Sequence, residues 1–274
     1  MLTAQPLLYR CCLPSPELAP YVALHWSMQG DLPADLAREE YLHPEGGCGL
    51  IFNQGDPIQL NGRRHDARRW INGPSSRSVI ITLQGRVRLA GVRFLPGAGR
   101  LLLQAPLHEL LNHSLDNSDF PLPPAAEALW RDLPLDDLGR QKQSVEQGLR
   151  LLLSRQAASA GSASRQVRME LHRLAQRLRS ANDPDETAAP SRQARQVQRL
   201  FRDYVGIAPQ QYFSQLRAQQ ARERIKRLAP DETLTEVAHA LNFHDQAHFI
   251  RDFQRIVGLT PGQYRRRQDR KRER

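Results

Sequence analysis

TLTEVAHALNFHDQAHFIRDFQRIVGLTPGQYRR, running from Thr233 to Arg266, reads as one complete two-helix unit. Thr233 and Glu236 stand at capping-box spacing, so hydroxyl and carboxylate can each satisfy an orphan N–H where a helix starts. Leu234, Val237, Ala238 and Leu241 give that helix one apolar face. Asn242-Phe243-His244 then breaks it, and Asp245 is placed to cap the next helix. The second helix is expected to reach Val257, with Phe249, Phe253 and Val257 inward, and to stop at Gly258. Gln246, His248, Arg251 and Arg255 project elsewhere. Two helices joined by a three-residue turn form a helix-turn-helix, whose second helix normally enters the DNA major groove.

The unit is used twice. Arg199, Phe201, Gly206, Pro209 and Tyr212 recur 52 residues later as Arg251, Phe253, Gly258, Pro261 and Tyr264, the pattern R-x-F-x4-G-x2-P-x2-Y. Two copies are too few for a solenoid, which needs three or more. Between the copies, Pro209 to Arg227 reads as a linker helix with Pro in its first turn. At ~1.5 Å per residue it spans about 28 Å, close to the ~34 Å between successive major grooves on one face of DNA.

With Ala238, Phe243, Phe249, Arg251, Phe253, Gly258, Thr260, Pro261, Tyr264 and Arg265 in place, the segment resembles the C-terminal signature of AraC/XylS-type bacterial transcription regulators. In that family two helix-turn-helix units are joined by a linker helix, as the repeat independently implies. The resemblance covers roughly Val167 to Arg267. It implies base contacts from the first half of each recognition helix: Arg195, Gln198 and Arg199 in the first, and Gln246, Ala247, His248 and Arg251 in the second. Arg can grip guanine O6/N7, Gln can pair with adenine N6/N7, and Ala247 offers only a methyl contact. Arg202, Arg255, Arg265 and Arg266 are assigned to phosphates, which hold without specifying. The terminal run to Arg274 would add nonspecific attraction.

Three positions depart from the family pattern. Asn242 stands where Gly is usual, a mild change because Asn tolerates the left-handed conformation. Gln193 replaces the usual Ser at the start of the first recognition helix. The helix expected before it, Asn182 to Ser191, has no aliphatic stripe and contains Pro184 and Pro190. The first unit is therefore expected to be distorted or weakly docked.

Charge agrees with this placement. The chain has 274 residues and a net charge of +10. Residues 191–274 hold 18 basic and 9 acidic side chains, while the first 190 are nearly balanced with 21 and 20. A polyanion partner at one end follows, either nucleic acid or an anionic surface, and the repeat selects DNA. No stretch approaches the ~20 apolar residues of a membrane helix. The start, MLTAQPLLYRCCLPSP, lacks the layout of an export signal. Three cysteines make no disulfide framework, so a cytoplasmic, nucleoid-associated protein is expected.

The first ~95 residues alternate short apolar runs with turn residues, and predict strands at His25–Met28, Gly49–Asn53, Pro57–Leu60, Arg69–Ile71, Val79–Leu83 and Val87–Phe94. The last two, broken at Gln84-Gly85, read as a hairpin. The expected fold class is α+β with two domains: a β-rich, barrel-like N-terminal domain with flanking helices, and an all-α tandem helix-turn-helix domain. Its divisions are residues 1–120, a helical connector at 121–156, a linker at 157–164, the DNA-binding domain at 165–267 and a basic tail at 268–274. PEGGCGLIF (Pro44–Phe52) and GVRFLPGAG (Gly91–Gly99) resemble a β-rich domain that accompanies some AraC-type regulators. That resemblance implies small-molecule sensing, dimerisation, or both.

Little else carries chemistry. His43, Glu45 and Cys48 do not have a metal-ligand spacing, and no phosphate loop or nucleophile elbow occurs. No catalytic residue, metal or cofactor is assigned. The reading is a sequence-specific transcription regulator whose partners are duplex DNA and, as candidates, RNA polymerase, a small-molecule effector and a second copy of the chain. The alternative is an alkyl-transfer DNA-repair enzyme with the same DNA-binding domain, which would need an activated thiolate among Cys11, Cys12 and Cys48.

Overall fold

A computed structural model describes residues 5–33, 35–103, 106–116, 124–154, 167, 169–172, 192–229, 232–241, 243 and 245–272. The N-terminal half holds two antiparallel sheets. The first has the order β1 (Gln5–Cys12), β2 (Val22–Asp31), β9 (Arg86–Phe94), β4 (Gly49–Asn53), β7 (Arg69–Asn72), β10 (Ser114–Asp116). The second has the order β3 (Arg38–Leu42), β8 (Val79–Leu83), β5 (Ile58–Leu60), β6 (Arg63–His65).

Strand alternation divides the side chains of the first sheet between two cores. In β4, Leu50 and Phe52 face one way and Ile51 the other; in β9, Val92 and Phe94 oppose Val87 and Leu89. One core lies between the sheets and holds Ile51, Ile58, Trp70, Ile81, Leu83 and Leu89. The other is closed by α1 (Gly99–Leu103), α2 (Pro124–Arg131) and α3 (Leu138–Ser154), which contribute Leu103, Trp130, Val145 and Leu149. A short 3₁₀ turn at Leu107–Leu110 follows α1.

Two expectations are corrected. Among the described residues the sheets stay open and do not close into a barrel, because each ends in two edge strands, β1 and β10 in one and β3 and β6 in the other. β8 and β9 are not a hairpin: β8 pairs with β3 and β5, whereas β9 pairs with β2 and β4. The chain crosses between sheets at Gly85, where φ is +64° and the Asp56 carboxylate accepts the Arg86 N–H at 2.7 Å. Leu83 and Val87 thereby enter the same inter-sheet core from different sheets.

The C-terminal half is helical: α4 (Arg192–Val205), α5 (Pro209–Lys226), α6 (Leu234–Ala240), α7 (Gln246–Val257) and α8 (Pro261–Arg272). The chain is thus an α+β protein with a β-rich half before a helical one. The expected linker at 157–164 and the helix at Asn182–Ser191 lie outside the described residues.

Candidate nucleic-acid interface

The sequence repeat is also a structural repeat. Phe201 of α4 and Phe253 of α7 are both buried. Gly206 and Gly258 follow those helices at φ +87° and +80°, the left-handed conformation that ends a helix and that side chains with a Cβ avoid. Pro209 and Pro261 open the next helices, and Tyr212 and Tyr264 are buried on them. In the second unit the Thr233–Glu236 capping box is complete, and the Asp245 carboxylate accepts the His248 N–H at 2.6 Å. Phe249 lies between Phe243 and Phe253, with centroids 5.0 and 5.7 Å away in tilted and edge-on contacts, so aromatic rings fix the turn residue Phe243 against α7.

Arg195, Gln198, Arg199 and Arg202 are exposed on α4, and Gln246, Ala247, Arg251 and Arg255 on α7. His248 is half-buried, edge-on to Phe243 and 3.6 Å from Asp252. Arg255 pairs with Asp252 at 2.9 Å. Arg266 is exposed, whereas Arg265 donates to the carbonyls of Glu232 and Ala229.

Sequence reasoning passed over Arg217. This α5 residue is buried, with its guanidinium 4.4 Å above the Phe243 ring and 3.3 Å from the Asp252 carboxylate. It joins the linker helix to the second recognition helix. Neither neighbour is close in sequence, so no spacing could have marked it.

The N-terminal half grips both units from behind. Ser78 donates its N–H and its hydroxyl to the Ile256 carbonyl, at 2.8 and 3.0 Å, near the end of α7. Gln215 of α5 donates to the Ser75 carbonyl at 2.8 Å, and a Cβ on Gly46 would lie 2.2 Å from the Tyr212 ring. With these contacts made, the base-contact candidates remain on the surface.

A cavity of about 740 Å³ lies where the halves meet. Its walls include Trp26, Met28 and Leu89 from the first sheet, Leu42 and Ile81 from the second, and α5 and α8 residues. His43 belongs to this wall and bonds through Nδ1 to Ser78 Oγ at 2.7 Å. Among the described residues, no three His, Cys, Asp or Glu side chains are grouped to hold a metal. Burial pushes the Cys48 thiol up to about 12 and raises Cys12 as well, the opposite of thiolate activation. Among the described residues, no helix is long and apolar enough to cross a membrane.

Among the described residues, α6 followed by α7 gives one helix-turn-helix pair, and α4 repeats the arginine, phenylalanine and glycine pattern of α7. Residues 187–267 match the family described as a helix-turn-helix domain, and residues 10–116 match a domain of unknown function, DUF6597. The chain therefore carries an AraC-type helix-turn-helix domain behind a β-rich DUF6597 domain. It is 33% identical over 67 residues to the HTH-type transcriptional activator RhaS of Pectobacterium carotovorum subsp. carotovorum (strain PC1), a match covering 24% of this chain and 23% of RhaS. It is 34% identical over 79 residues to the HTH-type transcriptional regulator MtrA of Neisseria gonorrhoeae, covering 29% and 26% respectively. The chain thus matches about a quarter of the length of these curated relatives. The crystal structure of ToxT from Vibrio cholerae O395 overlays 88% of this chain and 96% of its own, at 8% identity and a TM-score of 0.40.

Proposed function

We propose that this protein is a sequence-specific DNA-binding transcription regulator. It would place α4 and α7 in successive major grooves and answer to a small-molecule effector held by its N-terminal half. The observation that carries this reading is the repeat of one scaffold with Arg199 and Arg251 at equivalent exposed positions. Arg195, Gln198, Gln246, Ala247 and His248 would complete the base-reading set, with Arg202, Arg255 and Arg266 on phosphates; Arg265, which the resemblance also places on phosphate, is instead held by the Glu232 and Ala229 carbonyls. A division into an effector or dimerisation domain at 1–120, a helical connector at 121–156 and a DNA-binding domain from 165 is supported by cores that separate the N-terminal and C-terminal residues, with the connector helices packed on the N-terminal one.

Selection from a random duplex library with the full chain tests this. The enriched site should bind at least ~10³-fold tighter than random duplex at physiological salt. Arg251→Ala should cost about 1–3 kcal/mol and relax preference at one base pair. Equal affinity for all sequences would overturn the proposal.

A further inference from the structure

One short loop of the N-terminal half, GPSSRS at residues 73–78 between β7 and β8, touches α4, α5 and α7 at once. Pro74 sits against the end of α4, where a Cβ on Gly206 would come 2.6 Å from the proline ring. The Ser75 carbonyl accepts the side-chain amide of Gln215, an α5 residue only 1% exposed, at 2.8 Å. Ser78 donates both its N–H and its hydroxyl to the Ile256 carbonyl near the end of α7. Because that hydroxyl donates to a carbonyl, it can only accept from His43 Nδ1, 2.7 Å away, which places the ring proton on Nδ1.

The loop is built as a block. Gly73 N–H donates to the His113 carbonyl at 3.0 Å, and Asn112 N–H to the Pro74 carbonyl at 2.8 Å. Asn112 Oδ1 accepts both the N–H and the hydroxyl of Ser76, at 2.8 and 2.9 Å. The Ser75 hydroxyl donates to the Arg77 carbonyl at 2.7 Å. Surface loops ordinarily move more than the elements they join, and these bonds tie this one to residues 112 and 113 before it meets the helices.

The two reading helices need such a block. α4 belongs to a core with Phe201, Val205, Tyr212 and Phe213, and α7 to another with Ala218, Ala221, Ile225, Phe249 and Phe253. These cores share no residue, and α5 supplies side chains to both. With α5 as the sole connection, each reading helix could turn about its own packing joint. On DNA, one extra base pair between half-sites moves the second by about 3.4 Å and rotates it by about 34–36°.

We infer that the loop at 73–78 is a positioning brace that fixes α4 and α7 relative to each other, so that the N-terminal half sets the half-site spacing the protein accepts. Pro74, Ser75 and Ser78 hold the helices without touching the bases. The consequence for DNA rests on the proposed function, whereas the brace itself does not.

The first arm is carried out without DNA. Spin labels are placed on the full chain through Gln198→Cys and Gln254→Cys, in a Cys11→Ser/Cys12→Ser background that leaves only the buried Cys48. Pulsed dipolar spectroscopy should give one narrow distance distribution. The combined variant Pro74→Ala/Ser78→Ala/Gln215→Met should at least double its width, and Gln215→Met alone should widen it in part. Near-ultraviolet circular dichroism shows that the N-terminal core is intact; if the combined variant loses that signal, Gln215→Met carries the test. Arg77→Ala, on the exposed side of the same loop, should leave the width unchanged. A width unmoved by the brace substitutions would overturn the inference.

The second arm titrates the full chain with duplexes whose selected half-sites are moved apart or together by one base pair. The parent should lose at least about tenfold in affinity, since one helix forfeits its base contacts. The brace variants should lose less than about threefold and keep the same base preference within each half-site, whereas Arg77→Ala should keep the spacing preference of the parent. A widened distribution with an unchanged spacing preference would overturn the role in spacing. A widened distribution in a protein with no preference for any duplex would reject the DNA-binding reading and leave the brace standing.

Discussion

Replacing Arg217 with Met asks whether the linker helix holds the second recognition helix through a charge or only through packing. The guanidinium lies 4.4 Å over Phe243 and 5.4 Å over Phe213, both within cation–π reach. At a buried site such stacking contributes about 2 kcal/mol. The ion pair with Asp252 adds less than a buried pair usually would, since Asp252 keeps Arg255 at 2.9 Å and His248 at 3.6 Å. Its loss costs about 1 kcal/mol rather than the ~3–5 of an orphaned buried charge. Two terms work against these. Met keeps the apolar stem and gains sulfur–aromatic contact of ~0.3–1.5 kcal/mol, and it removes an Nε that lacks a partner. The net destabilisation is about 1–2 kcal/mol, or a Tm lowered by roughly 4–16 °C for a unit of this size.

Thermal melts of the full chain, followed by circular dichroism, read the first number. A double-mutant cycle with Asp252→Asn isolates the pair and should give a coupling of about 1 kcal/mol. Arg217→Lys should recover less than half of the loss, because an ammonium cannot stack flat on Phe243. Affinity for a selected duplex should fall mainly through the half-site read by α7. An Arg217→Met protein that melts like the parent, with zero coupling to Asp252, would refute the account of how α5 positions α7.

Thr233→Ala removes the hydroxyl that accepts Glu236 N–H at 3.2 Å, and should destabilise α6 by about 1 kcal/mol. Hydrogen exchange in residues 234–240 checks this, with Thr235→Ala as the control; equal protection in both variants would contradict it. Acid should also weaken the N-terminal half. Burial lowers the His25 pKa below its ordinary 6.5, opposed by the Glu146 carboxylate 3.3 Å away. Burial works to raise the Glu146 pKa but is outweighed by the Ser15 N–H and by the charges of His25 and Lys142, so it too ends below its ordinary 4.5. Each depressed value contributes stability that is present above the unfolded pKa and lost as pH falls through the folded one. Decline should therefore begin below about pH 6.5 through His25 and steepen below about 4.5 through Glu146. In melts from pH 7.5 to 5, His25→Gln should flatten the first phase, and an unchanged slope would exclude His25 as its source.

Legibility in the sequence tracked how many different neighbours each element has. The six strands expected from alternation are the six interior strands, each paired on both sides. The four that were missed, β1, β3, β6 and β10, are the four sheet edges. Sequences such as REEYL and RRH are charged because an edge exposes much of its surface and must discourage further pairing. The two recognition helices were legible because each buries one stripe and leaves the rest in solvent. α5 was legible in length only. Tyr212, Gln215, Arg217 and Arg222 are all buried, each against a different neighbour, so the helix has no single apolar stripe to detect.

The same reasoning changes what the charge of the C-terminal third means. Counting bases treats every arginine as available to phosphate, but Arg217 is sealed against Phe243 and Asp252, and Arg222 faces the cavity. Arg265 is bonded to backbone carbonyls. The positive charge therefore divides into an outward set on α4 and α7 and an inward set that includes Arg217, Arg222 and Arg265. On the proposed reading, only the outward set would release counterions from DNA, at about 0.9 per phosphate neutralised. Arg217 lies where the linker helix meets α7, and Arg222, nearly a turn and a half further along, lies where that helix meets the cavity.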